Sequence, residues 1–121
     1  MSKVATLLDD YRETAVAWDE SQREVARANL LFDRLQALQK QLRAEPRGRA
    51  GIEALMAHPS AGVRLIAAAH SLQWTPTKAA KVLQAIQAEP GLHAVTATYT
   101  LKAYREGMLD LDWGSHDIRE R

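Results

Sequence analysis

The side chains in this 121-residue sequence with chemistry to offer are four histidines, a run of cations in the middle of the chain and a set of hydroxyls. His58, His70, His93 and His116 show neither His-x-x-x-His nor Glu-x-x-His spacing, the arrangements that place two metal ligands on one helix face. Cysteine is absent, which removes thiolate nucleophiles, disulfides and Cys-ligated metal sites. Arg47-Gly48-Arg49-Ala50-Gly51 lacks the Lys-Ser/Thr end and the preceding strand that a phosphate loop requires. Asp9-Asp10 and Asp110-Leu111-Asp112 are paired carboxylates near the two ends. Solvation or helix-end charge complementarity accounts for them, since general acid-base work needs a cleft that shifts a pKa. The expectation is a non-catalytic protein using neither metal nor cofactor.

Binding chemistry is better represented. From Lys40 to Lys81 there are seven basic and two acidic residues, whereas Met1 to Asp33 carries four basic and seven acidic and Glu106 to Arg121 two and five. Arg43, Arg47, Arg49, Lys78 and Lys81, with Lys40 and Arg64, form a basic patch if the middle of the chain folds onto one surface, and such a patch would contact phosphates. The net charge is only +1 and Trp74 is the one aromatic in that region, so nucleic-acid binding is the alternative and not the leading reading. A second set is polar: Arg64 and Ser71 align with His93 and Thr100 in a later helix, and Ala67 with Thr96. Arg64, Ser71, His93, Thr96 and Thr100 then make a small-residue strip that a partner protein could cover.

All of these side chains need elements to hold them, and the pattern is helical throughout. Val63 to Leu72 lies over Leu92 to Leu101 with small or aliphatic residues at matching positions, while Ile52, Leu55 and Pro59 match Leu83, Ile86 and Pro90. Each unit reads helix, Pro-containing turn, helix, and repetition of such pairs is the pattern of an α-solenoid. The spacing predicts about six helices in a single domain over residues 1–121: an N-terminal hairpin at 2–45, a linker at 46–50, two helix-pair repeats at 51–107 and an acidic tail at 108–121 anchored by Trp113.

Within the hairpin, Ser2 is placed to cap a first helix whose Val4, Leu7, Leu8, Tyr11, Ala15 and Trp18 share one face. Ser21 with Glu24 reads as a capping box for a second helix, Asp19 with Gln22 being an equal alternative. Val25, Ala28, Leu31, Phe32, Leu35, Leu38 and Leu42 line that helix to about Ala44, where Glu45-Pro46-Arg47-Gly48-Arg49 breaks it. Ser60 and Thr75-Pro76 mark two later helix starts, and Gly107 stands where a left-handed C-cap belongs, with Met108 and Leu109 able to fold back on the last turn. On α-helical wheels Leu65, Ala68, Ala69 and Leu72 face inward, with Arg64, Ala67 and Ser71 opposite. His70 belongs at the edge of a helix contact. No apolar stretch approaches a membrane span and the N-terminus lacks a signal-peptide pattern, so the expected compartment is the cytoplasm and the expected state a monomer or homodimer.

Asn29-Leu30-Leu31-Phe32, His58-Pro59-Ser60-Ala61-Gly62-Val63-Arg64-Leu65-Ile66-Ala67-Ala68-Ala69 and Leu101-Lys102-Ala103-Tyr104-Arg105-Glu106-Gly107-Met108-Leu109 together resemble small bacterial HEAT-like helical proteins, the family catalogued as domain of unknown function two thousand and nineteen. The resemblance covers roughly residues 3 to 109. It implies an all-α, right-handed α-α superhelix with no known enzymatic activity, in which Arg64 is either a repeat-stabilising residue or a ligand contact. Small proteins of this look also occur as candidate immunity proteins against secreted bacterial toxins, so the resemblance implies a cognate toxin as partner.

Overall fold

The computed structural model describes residues 3–108, and every regular element among them is helical. The order is α1 (Lys3–Glu20), α2 (Val25–Leu42), α3 (Pro46–Ala54) continued by a 3-10 turn (Leu55–Ala57), α4 (Ala61–Ser71), α5 (Pro76–Gln87) and α6 (Leu92–Arg105). Six helices and no strand match the all-α expectation. Ser2, Leu109 and the tail around Trp113 lie outside the described residues.

The first helix follows its apolar stripe: Val4, Tyr11, Ala15 and Trp18 are buried, and Leu7 and Leu8 pack beside them. Its end differs from the expected capping box. α2 starts after Glu24, which makes no side-chain cap bond, while the Ser21 hydroxyl donates to the Ala17 carbonyl at 2.7 Å and accepts from Arg27 Nε at 2.9 Å. Ser21 therefore closes α1 instead of opening α2, because its hydroxyl reaches the orphan carbonyls one turn back. In α2 only the C-terminal half of the stripe is fully inside: Leu35, Leu38 and Leu42 are buried, whereas Val25 is 70% exposed.

The expected linker at 46–50 is instead the first half of α3. Pro46 does break the chain, since Glu45 before it is extended (φ −126, ψ 142), but its fixed φ then starts the next helix at once. Gly48 is in that helix because a Cβ there would run into the carbonyl oxygen of Leu42. The α2–α3 corner is thus a tight backbone contact and not a spacer. Ser60 and Thr75 stand at the N-cap positions expected of them, yet neither makes a side-chain cap bond.

α4 is the axis of the molecule, packed against α1, α3, α5 and α6. Val63, Leu65, Ile66, Ala67, Ala68, His70 and Ser71 are all buried along it, so it has no open polar side. α6 at the C-terminal end of the described chain buries only Ala97 and Leu101. It ends as the sequence predicts: Gly107 takes φ +70, its N–H donates to Tyr104 O at 3.1 Å and Met108 N–H to Ala103 O at 2.8 Å, the two bonds of a Schellman motif. Met108 itself is 75% exposed and does not fold back on the helix.

Candidate functional site

The polar strip read from the helical wheels does not survive as a surface. Ser71 is fully buried with its Oγ unpartnered, because α4 has neighbours on all sides. Arg64 Nη1 pairs with Glu89 Oε2 at 3.0 Å, tying α4 to the end of the α5 unit. His93 leaves the strip for a helix junction: its Nε2 bonds Asp19 Oδ1 at 2.6 Å and its ring stacks on Trp18, centroids 5.8 Å apart. Thr96 stays exposed, and the Thr100 hydroxyl donates to the Thr96 carbonyl at 2.8 Å. Two of the five residues, Thr96 and Thr100, are thus left together on α6.

Asp19 sits in the last turn of α1, where a carboxylate meets the negative pole of the helix dipole at a cost of about 0.3–1 kcal/mol. Ser60 Oγ donates to Asp19 Oδ2 at 2.6 Å, His93 occupies the other oxygen, and Gly62 leaves room for the carboxylate. Serine, aspartate and histidine meet here in the wrong order for nucleophilic catalysis: the carboxylate accepts both bonds, so no imidazole receives the serine proton. The group is a tertiary clamp joining α1, α4 and α6. Acidic residues at a helix C-terminus were the sequence signal for it, a broken local rule that calls for a compensating contact.

A second polar line runs through the core. Tyr11 O–H donates to His70 Nδ1 at 2.7 Å, and His70 Nε2–H donates to Gln36 Oε1 at 2.6 Å, joining α1, α4 and α2. Burial, followed by the Arg43 charge, lowers the His70 pKa to about 3, so the ring is neutral; burial raises the Tyr11 phenol well above its usual value. Neither group reaches solvent, as Tyr11 is fully buried and His70 2% exposed.

Among the described residues, two open surfaces bear on binding. The first is a cleft of about 530 Å³ where the end of α2, α3 and the α4–α5 turn converge, lined by Lys40, Arg43, Ala44, Arg49, Gln73 and Trp74. Of the basic patch expected from sequence, Arg43 and Arg49 come together here with Lys40; Arg47 and Lys81 are exposed outside the lining, and Lys78 faces Glu53 at 3.7 Å. Gln73 is the member that sequence reading missed, since nothing about its spacing marks it. The second surface is the outer side of α6. Leu92, Val95 and Tyr99 are 62%, 53% and 68% exposed, and their i, i+3, i+7 spacing puts them on one stripe opposite buried Ala97 and Leu101. Among the described residues no helix is long and apolar enough to cross a membrane.

No curated protein matches the chain. Among solved structures it is similar to the protein RPA1889 from Rhodopseudomonas palustris CGA009, with 24% sequence identity, 91% of this chain and 94% of that chain covered, and a TM-score of 0.80. That likeness carries the fold alone. The model of one family, described as domain of unknown function (DUF2019), matches residues 7–104, so the α1-to-α6 body that forms these surfaces is the family's own unit and the chain belongs to that family.

Proposed function

We propose that this protein is a non-catalytic protein-interaction module whose docking face is the outer side of α6. The observation that carries the reading is the apolar stripe of Leu92, Val95 and Tyr99, directed away from the core on the last described helix. Single exposed apolar residues are ordinary, but three in register on one helix face are not. An apolar stripe rimmed by polar residues is the pattern of a protein contact. Thr96 and Thr100 flank the stripe on one edge and Lys102 on the other, which supplies the polar rim. HEAT-like stacking, with neighbouring helix pairs burying each other's faces, gives the physical reason such a face is available. The partner class is the one the resemblance implies, a secreted bacterial toxin held inactive by its immunity protein in the cytoplasm.

The test is co-expression with the product of the adjacent reading frame in the native host, followed by size-exclusion chromatography with light scattering. A one-to-one complex is expected for the wild-type chain, with at least a tenfold loss of affinity for Leu92→Asp and Tyr99→Asp. A chain that dimerises alone and is dispersed by Tyr99→Asp would reassign the stripe to self-association. A complex indifferent to both substitutions would rule out α6 as the docking face.

A further inference from the structure

We propose that Asp19, Ser60 and His93, with Trp18 stacked on the imidazole, form a latch that holds α6 on the body, and that releasing it lets α6 open as one unit while the helices before it stay folded. His93 is thereby a positioning residue for the outer stripe. The purpose of the latch rests on the proposal that α6 is the docking helix, whereas its mechanics belong to the isolated chain. α6 has little else holding it: of its 14 residues only Ala97 and Leu101 are buried, against eight of the 11 in α4. A helix with so few buried apolar side chains lies at the low end of local stability.

The inward positions of α6 form one ridge. His93, Ala97 and Leu101 follow at i, i+4 and i+8, so they share the side of the helix opposite Leu92, Val95 and Tyr99. Apolar contacts are non-directional: Ala97 and Leu101 choose which side of α6 faces the body but fix its slide and roll only weakly. Hydrogen bonds are directional, and those to a carboxylate are among the stronger ones. His93 supplies that constraint at the start of the ridge, with Nε2 2.6 Å from Asp19 Oδ1 and its ring stacked on Trp18 at an interplanar angle of 30°. Because Leu92 is its neighbour in the chain, the same bond fixes where the stripe begins.

The competing explanation is an ordinary, partly exposed ion pair, which contributes little. Asp19, however, is fixed independently of α6. Ser60 Oγ donates to its Oδ2 at 2.6 Å, and a Cβ on Gly62 would fall on its carboxyl group, so the carboxylate lies directly on the first turn of α4. The positive pole of α4 there offsets the negative pole of α1 that Asp19 also meets. Ser60 occupies the N-cap position of α4 yet makes no cap bond, its hydroxyl being turned to Asp19 instead. A serine withdrawn from capping and a glycine inside a helix each carry a local cost, and both serve the carboxylate that receives His93. A pre-set acceptor keeps the outer stripe in one arrangement and lowers the ordering cost of binding.

Amide hydrogen exchange of the full chain, followed by NMR, tests the latch without any partner. In the wild-type chain the amides of Ala97 to Leu101 in α6 are expected to exchange faster than those of Leu65 to Ala69 in α4. His93→Ala should accelerate the α6 set by at least about tenfold and leave the α4 set within about threefold, and Ser60→Ala should do the same more weakly. His93→Gln, which keeps an N–H to donate, should restore wild-type exchange. The latch is overturned if the two sets accelerate together or His93→Ala unfolds the chain, either of which makes the cluster a general support. It is equally overturned if neither set responds, or if His93→Gln exchanges like His93→Ala. The docking role fails separately: a partner complex indifferent to Tyr99→Asp removes that role and leaves the exchange result standing. Where both hold, His93→Ala weakens the complex and His93→Gln does not.

Discussion

His70 shows how a single ionisable residue is turned into structure. An imidazole in the core must either be charged and paired or neutral and fully hydrogen-bonded, and here Tyr11 and Gln36 satisfy both nitrogens of the neutral ring. Because burial lowers its pKa to about 3 from an unfolded value near 6.5, the unfolded chain binds a proton in that interval that the folded chain refuses. Its contribution is therefore fully present above pH 6.5 and is lost as pH falls toward 3, at about 1.4 kcal/mol per pH unit. Urea midpoints between pH 7 and 5, where most carboxylates remain ionised, should fall for the wild-type chain and flatten for His70→Gln. Ser71, one residue on, is the opposite case. Its buried hydroxyl lacks a partner, and an unsatisfied buried polar group costs about 1–3 kcal/mol. Ser71→Ala is expected to be neutral or to stabilise by up to about 1 kcal/mol, a rise of a few degrees in thermal midpoint. A loss of stability would mean that the hydroxyl has a hydrogen-bonding role.

At the scale of elements, the α2–α3 corner is the least forgiving join. Pro46 at the first helical position fixes where α3 begins, and Gly48 lets the new helix lie directly on the Leu42 carbonyl at the end of the old one. An added Cβ meets backbone and not a side chain that could swing away. Gly48→Ala is therefore expected to destabilise by about 1–3 kcal/mol, although alanine is the better helix former in isolation. Differential scanning calorimetry distinguishes the two: a rise in thermal midpoint would mean that propensity outweighs the contact. The same corner sets the cleft, since it brings Arg49 at the front of α3 over the Arg43 carbonyl behind α2.

For the whole molecule the contrast is between α4 and α6, whose sequences carry matching small and aliphatic residues but whose surroundings differ. α4 has helices on every side, and its polar positions Arg64, His70 and Ser71 are drawn into internal contacts. Among the described residues α6 has neighbours on one side, and its equivalent apolar residues are left facing out. Substitutions on that outer side remove little packing, so Tyr99→Asp should leave the urea midpoint of the isolated chain nearly unchanged, within the about 0.5 kcal/mol usual for surface changes. A large destabilisation would place Tyr99 against a part of the molecule and not against a partner.

The sequence by itself determined what depends on neighbours along the chain. Proline at Pro46 and Pro76, glycine at Gly107 and the 3.6-residue spacing of apolar side chains fix helices, starts and stops through local sterics and hydrogen bonding, and they make the fold all-α. The family resemblance was legible in the same stretches. Which side of each helix is open was decided only by tertiary structure, because a helical wheel records where a residue points and not whether another helix stands there. Ser71 disappeared into the core and His93 into the Asp19 clamp for that reason, while Lys40, Arg43, Arg49 and Trp74 met in one cleft across 34 positions of chain. The candidate sites are products of convergence between distant segments, and no local pattern encodes that.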